Sequence, residues 1–325
     1  MHKIYPSQYK DIDAITLESD LLQVQFLPKH GGKMASFVYK KTAREFLVQA
    51  PELSYKQLQF SGKYTDAECS GFDDMFPTID SMTYSDYPWQ GVEMADHGEV
   101  CGLPWEVEVG ADDLLMSVYG VRFPYKLEKR ITFESEHVLR IDYRAINLSP
   151  FDLDFLWAAH PMIDTADGVE ILVPYEGQQQ ARCIFSSDPQ LGAYGDQLSW
   201  PETLRKDGKM EKLAMMMPKK TSNSGAKTYK FFFKERLPEG WCAFRYTSEG
   251  TVLRFSFPEE KVPYLGIWTN NKVFKDFYNI ALEMCTGSMD RPDLAKLYQQ
   301  NSILRGNSEY HWYLKLQVDA SFKTE

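Results

Sequence analysis

The sequence predicts an all-β protein, a large antiparallel β-sandwich with few short helices. Three observations carry this. Apolar and polar residues alternate with period two in segment after segment, the mark of strands with one buried face. The segments are short and separated by Gly, Pro, Asn and Asp, so neighbours pair antiparallel in stacked sheets. Helical signals are few and reach a helix only near the end of the chain.

In chain order, Leu22–Leu27 reads as a strand, and Gly31-Gly32 after His30 as the turn to its partner. Gly71-Phe72-Asp73-Asp74-Met75-Phe76-Pro77 reads as a loop with two carboxylates between aromatic residues. Leu114–Val121 and Tyr125–Phe133 are β-rich. Leu139, Ile141, Tyr143 and Ala145 alternate with Arg140, Asp142 and Arg144; Phe151, Leu153, Phe155 and Trp157 alternate with Asp152 and Asp154. Val169–Val173, Tyr229–Phe233, Trp241–Tyr246, Leu253–Phe257 and Tyr264–Thr269 follow, then the alternating run from Tyr278 to Met284. Asp290-Arg291-Pro292 opens a short helix to about Gln300, with Asp290 as its cap. Tyr310, Trp312, Leu314, Leu316 and Val318 form the apolar face of a last strand. Between Ser186 and Thr228 turn residues accumulate around a short apolar run, Leu213–Met217. Loops of such length are functional or mobile, and the stretch is expected to be an insertion.

The 325 residues, 43% hydrophobic and 14% aromatic, suffice for one large core. The expectation is a single domain over 1–325 with a loop insertion at 186–228. Its 36 basic and 46 acidic residues leave a net charge of −10, which repels nucleic-acid phosphates and disfavours anionic membrane surfaces. Cys69, Cys101, Cys183, Cys242 and Cys285 are odd in number and lack metal-ligand spacing, as free thiols in a reducing compartment do. The opening Met1-His2-Lys3-Ile4-Tyr5-Pro6 lacks the apolar stretch of a secretion signal. No segment reaches the roughly 20 apolar residues of a membrane span. The expected setting is cytoplasmic, without nucleic-acid or membrane partners.

The chemistry-bearing residues fall in three distant segments: Asp96-His97-Gly98-Glu99, His160-Pro161 and Glu283. Two of the six histidines lie here. Two imidazoles and a carboxylate on separate strands can move protons between the oxygens of a sugar's anomeric centre without a cofactor. Strand parity favours a shared face. His160 falls on the even side with Asp152 and Asp154 if that strand stays regular; Glu283 falls with Asn279 and Ala281, away from Tyr278, Ile280, Leu282 and Met284. Such a polar face is also what an ordinary solvent-facing strand looks like. His97 alone reads as a turn residue, which Asp96 can orient. Trp268 is either core or a platform for a sugar's C–H edges. A metal would be a competing use for His97, Glu99, His160 and Glu283, but no His-x-His or His-x-x-x-His pair anchors one. No phosphate-binding glycine loop, Gly-x-Ser-x-Gly elbow or dinucleotide fingerprint is present. No metal and no cofactor are expected.

Taken together and in order, these segments resemble the aldose 1-epimerase (galactose mutarotase-like) family over nearly the whole chain. The opening Leu27-Pro28-Lys29-His30-Gly31-Gly32, Asp96-His97-Gly98, Ala159-His160-Pro161, the aromatic-Thr-x-Asn stretch within Leu265–Asn271, and Leu282-Glu283-Met284 followed by Asp290-Arg291-Pro292-Asp293 carry the likeness. It implies the large galactose mutarotase-like (supersandwich) fold and an enzyme that interconverts the α and β anomers of an aldose or aldose derivative. Glu283 would be the base, His160 the acid and His97 a substrate-binding histidine. Asp73, Asp74, Asp96, Trp268 and Asn270 would be further substrate contacts. To act as an acid near pH 7, His160 needs a raised pKa, from a neighbour such as Glu283 or Asp154. The chain departs from the family where Asp73-Asp74 replaces an Asn-Arg pair and Glu99 replaces a glycine. Those departures bear on which sugar is bound rather than on anomeric chemistry. The alternative is a carbohydrate-binding or regulatory protein that keeps the cleft without catalysis. A lyase acting on uronic acids would need a cation such as Arg122 or Arg245 in the cleft.

Overall fold

A computed structural model describes residues 2–221 and 225–319. Two large, almost wholly antiparallel sheets face each other, one of thirteen strands and one of nine. Each contributes alternate side chains to one continuous core, as stacked sheets must. Val24, Phe37, Phe231, Ile267 and Leu282 come from the first; Leu139, Ile141, Phe255, Leu314 and Leu316 come from the second. The long pair Val138–Asn147 and Glu309–Asp319 centres the nine-stranded sheet, with Tyr143 opposite Trp312. Their rings stack 5.1 Å apart, 3° from parallel. The two facing antiparallel sheets form the large β-sandwich that the sequence predicts.

The expected strands form with small shifts of boundary, and three readings change. The stretch 71–77, expected as a loop, carries the sheet strand Phe72–Met75, paired with Ala158–Pro161. The run from Phe151 to Pro161 does not stay regular. Leu153–Phe155 pairs with Ser302–Leu304 in a separate two-stranded sheet, and Ala158–Pro161 enters the thirteen-stranded one. Leu156 and Trp157 are fully buried between them. The helix is Pro292–Leu297, and Asp290 does not cap it: Arg291 takes that position without a side-chain hydrogen bond. Asp290 lends its carbonyl to the amides of Ile79 and Asp80 instead, which leaves its carboxylate free for another use. Within 186–228, Gln197–Trp200 extends the edge of the larger sheet, Glu202–Leu204 and Met210–Lys212 form a hairpin, and Met215–Met216 joins the smaller sheet. Among the described residues no helix is long and apolar enough to cross a membrane.

Five neighbouring strands of the larger sheet position the site: Phe72–Met75, Ala158–Pro161, Tyr278–Cys285, Tyr264–Asn271 and Lys227–Phe233, in that spatial order.

Candidate active site

Residues paired across antiparallel strands share a face of the sheet. His160 pairs with Asp73, and Ala158 with Cys285. Glu283, two residues before Cys285, therefore lies on the face of His160. Gly266 pairs with Glu283, Trp268 with Ala281 and Lys230 with Trp268. His160, Glu283, Trp268 and Lys230 thus project from four strands to the side away from the core. Gly266 keeps this surface compact. A Cβ there would sit 2.7 Å from Cζ of Phe232, whose ring covers the glycine.

His97 arrives from outside the sheet. Its φ of 62° and that of 76° at Gly98 form a left-handed turn, a conformation strained for any residue but glycine. A Cβ on Gly98 would meet the Phe76 carbonyl oxygen at 2.1 Å. The amides of His97 and Glu99 donate to the carbonyls of Ile79 and Phe76 at 2.7 and 2.8 Å, so the turn is clamped onto the end of a sheet strand. The Asp96 carboxylate holds Nδ1 of His97 at 2.8 Å. Burial pushes the Asp96 carboxyl up, but this hydrogen bond and the histidine's charge outweigh it and hold it below the usual carboxylate range.

A cavity of about 700 Å³ opens between these elements, lined by Asp96, His97, His160, Lys230, Trp268 and Glu283. That size suits a small-molecule site. Its outer walls are apolar and include Met162, Phe274, Phe277, Met289 and Leu294.

Two charged chains lie beneath it. In the first, Lys230 Nζ is 2.6 Å from Glu283 Oε2 and 2.7 Å from Asp290 Oδ1. Both oxygens are buried, and the ammonium between them compensates their charge. Burial raises the Glu283 pKa; Lys230 opposes this, Asp290 adds to it, and the net direction is up. Burial pulls the Lys230 ammonium down, but the two carboxylates overcome that and raise it.

The second chain runs Lys33–Asp73–Tyr64–His160. Lys33 Nζ is 3.0 Å from Asp73 Oδ2, to which the Tyr64 hydroxyl also donates at 2.8 Å. The same hydroxyl oxygen is 3.4 Å from His160 Nδ1. A tyrosine has one proton to donate, and here Asp73 takes it. The His160 contact therefore has Nδ1–H as donor, which leaves Nε2 with its lone pair. Burial, then the charges of His97, Lys230 and Lys33, hold the His160 imidazole well below its ordinary value. This reverses the upward shift expected of it. Neither expected neighbour acts that way: Asp154 is engaged with Lys296 and Asn301, and Glu283 is paired with Lys230.

Of the expected residues, the structure brings His97, His160, Glu283, Asp96 and Trp268 to one cavity. Asp73 stands one layer behind, reaching it through Tyr64. Asp74 faces the opposite side of its strand, into the core, where it takes hydrogen bonds from Lys129 Nζ at 2.8 Å and Trp157 Nε1 at 3.0 Å. Asn270 is fully buried at the strand end. Its side chain accepts from the amides of Val273 and Phe274 and donates to Asn279, shaping the loop that carries Phe274 and Phe277 to the cavity wall. Glu99 turns away to accept from the amides of Val121 and Arg122 and the Tyr125 hydroxyl. This removes one member of the competing metal set, and no group of three or more His, Cys, Asp or Glu among the described residues is arranged to hold a metal. Of the two cations a lyase could have used, Arg245 pairs with Glu170 in the other sheet, and Arg122 reaches Ser61 and the Phe60 ring rather than the cavity wall.

Sequence reasoning missed Lys230, Tyr64 and the carboxylate of Asp290. Lys230 left one signal, a lone cation inside the aromatic run Tyr229-Lys230-Phe231-Phe232-Phe233. Tyr64 left none, because it sits on a single 3-10 turn, Tyr64–Asp66, in a long stretch without other regular structure.

The architecture is that of the galactose mutarotase-like proteins. Similar solved structures include the Slr1438 protein of Synechocystis sp. PCC 6803, 17% identical with a TM-score of 0.66, over 98% of this chain and 100% of that one. A galactose mutarotase-related enzyme of Lactobacillus acidophilus is 11% identical with a TM-score of 0.61, over 99% and 100%. A galactose mutarotase-like protein of Clostridium acetobutylicum is 13% identical with a TM-score of 0.65, over 98% and 99%. At such identities the likeness establishes the fold. The chain matches no protein-family model and no curated protein sequence.

Proposed function

We propose that the protein is a cofactor-free mutarotase that interconverts the anomers of an aldose or aldose derivative. One observation carries this reading: His160 and Glu283, 123 positions apart in the chain, share a face of the larger sheet and line one cavity with His97. Glu283 is the base. Its carboxylate takes the proton of the anomeric hydroxyl as the bond from C1 to the ring oxygen breaks and an acid on the cavity wall protonates that oxygen. The open-chain aldehyde then turns about C1–C2 and recloses on its other face, with the proton transfers reversed. The Asp96–His97 pair hydrogen-bonds the substrate, and Trp268 offers a ring to the sugar's C–H edges. His160, neutral and with Nε2 as an acceptor, receives a substrate hydroxyl. Each general acid or base of this kind is worth about 10²–10⁴-fold in rate.

The test is anomer exchange followed by NMR on a panel of free, phosphorylated and acidic aldoses. Exchange above the spontaneous rate for one class supports the reading. Saturable sugar binding without any acceleration would replace it with the non-catalytic carbohydrate-binding alternative.

A further inference from the structure

Ring opening needs a donor for the ring oxygen as well as a base for the anomeric hydroxyl. His160 is ill suited to this. Burial and the neighbouring cations disfavour its charged form, and the one proton of its neutral form sits on Nδ1, toward Tyr64, which Asp73 fixes as an acceptor. The cationic group in direct contact with the base is the Lys230 ammonium. It is 7% exposed and lies 2.6 Å from Glu283 Oε2, on the strand beyond Trp268.

We propose that Lys230 is the proton donor to the ring oxygen and works with Glu283 as one proton-shuttling pair. The inference rests on the mutarotase reading and specifies its acid. In the forward step Glu283 accepts the O1 proton, the C1–O5 bond breaks, C1=O1 forms, and O5 takes a proton from Lys230. The pair passes from carboxylate and ammonium to carboxylic acid and amine. Reclosure on the other face runs the same transfers backwards and restores both charges. No oxidant, metal or further reactant enters.

The pairing also times the acidity. Burial alone disfavours an ammonium, and only the carboxylates keep it charged. As Glu283 becomes neutral, one of the two counter-charges disappears, and the ammonium becomes a better acid at the moment the ring oxygen needs a proton. Asp290, 2.7 Å away, keeps the amine in place and ready to be recharged. The cavity wall also carries Tyr64, Asp80, Asp96, His97, His160, Lys275 and Arg291, and Cys285 lies beside Glu283.

Two measurements on the sugar identified by the panel test this. The first needs no variant. With Lys230 as donor, background-corrected kcat stays flat from pH 7 to pH 9, because the ammonium remains charged. An alkaline limb at or below the ordinary histidine value, about 6.5, overturns the proposal in favour of His160. The second compares Lys230→Met, Lys230→Arg and His160→Gln. Lys230→Met is expected to lose about 10²–10⁴-fold in kcat. Lys230→Arg keeps the positive charge but holds its proton too tightly to give it up, so it is not expected to rescue the rate. His160→Gln is expected to lose less in kcat than Lys230→Met and to raise KM, because His160 receives a substrate hydroxyl. Rescue by Arg would reduce Lys230 to a positioning residue for Glu283, and a Lys230→Met rate within tenfold of wild type would exclude it altogether. If wild type accelerates exchange of no sugar, the mutarotase reading itself fails, which is a separate outcome.

Discussion

Tyr64 lies flat against His97, ring centroids 3.8 Å apart and planes 3° from parallel. It meets His160 edge-on at 5.6 Å. One ring thus packs both histidines, while its hydroxyl ties them to the buried Lys33–Asp73 pair. Tyr64→Phe keeps the stack and removes the tie. Loss of a hydrogen bond to a charged acceptor is expected to cost about 1.5–3 kcal/mol of stability, measured by urea unfolding. kcat should fall several-fold with little change in KM, since His160 loses the partner of Nδ1. Unchanged stability would mean that Lys33 alone satisfies Asp73.

Glu283→Gln keeps the shape of the side chain but cannot accept the anomeric proton. Its kcat is expected to fall by about 10²–10⁴-fold with circular dichroism unchanged. The wild-type profile carries a matching signature. Catalysis needs the carboxylate, and the Glu283 pKa is raised, chiefly by burial. Activity should therefore fall on the acid side at a pH above the ordinary glutamate value of about 4.3. A strong chelator should leave the rate unchanged. Complete loss in chelator, restored by a divalent ion, would return His97, His160 and Glu283 to the metal reading.

His160 ties site and stability together. Its folded-state pKa is depressed, first by burial and then by neighbouring cations. Below the unfolded value near 6.5 the unfolded chain binds a proton that the folded chain does not, so stability falls as the pH falls through that window. The slope from one such group approaches about 1.4 kcal/mol per pH unit. His160→Gln should flatten the fall between pH 6.5 and 5.5, as read from unfolding midpoints at each pH. Identical slopes in both proteins would show that His160 charges freely in the folded state.

Trp268 packs against Phe274, ring centroids 5.9 Å apart, and stands 6.0 Å from His160 with part of its surface open to the cavity. Stacking acts on bound sugar and transition state alike. Trp268→Ala should weaken sugar binding by several-fold, in line with the roughly 0.5–1.5 kcal/mol of an aromatic contact, with a smaller effect on kcat. A large drop in unfolding midpoint with unchanged affinity would assign Trp268 to the core.

How much of this was legible depended on whether a residue's role was local. The alternation around Glu283 survives folding because Tyr278–Cys285 is one unbroken strand, so parity alone put Glu283 opposite the apolar face. The same reasoning at His160 reached the right face through a strand that breaks at Leu156-Trp157, so its premise of regularity fails even though the residue faces the cavity. Lys230 was hidden because pattern reading treats a lysine in a strand as solvent-facing. Only the spatial order of strands drawn from residues 227, 264 and 278 onward brings it to Glu283. Asp290 was assigned a cap because its neighbours spell a helix start; its tertiary partner Lys230 overrode that local preference. Asn270 was drawn into the site by its place in the family-like stretch, whereas its four-way hydrogen bonding serves the adjoining loop.

Asp73 and Asp74 show how sharply one residue of register divides roles. They are neighbours in Phe72–Met75, where successive side chains point to opposite faces. Asp73 serves the cavity through Tyr64. Asp74 is sealed in the core, with Lys129 Nζ at 2.8 Å and side chains of both 3% exposed or less. Lys129 also donates to the Gly32 carbonyl at 2.7 Å and lies over the Trp105 ring. Asp74→Asn leaves that ammonium buried without its counter-charge, and removal of one partner of a buried pair costs about 3–5 kcal/mol. Unfolding in urea should report that loss, while sugar affinity of the folded fraction stays unchanged. Replacing both partners, Asp74→Leu with Lys129→Met, removes the stranded charge and should recover much of the stability. If Asp74→Asn instead abolishes sugar binding at nearly full stability, Asp74 acts on the site and its assignment to the core is wrong.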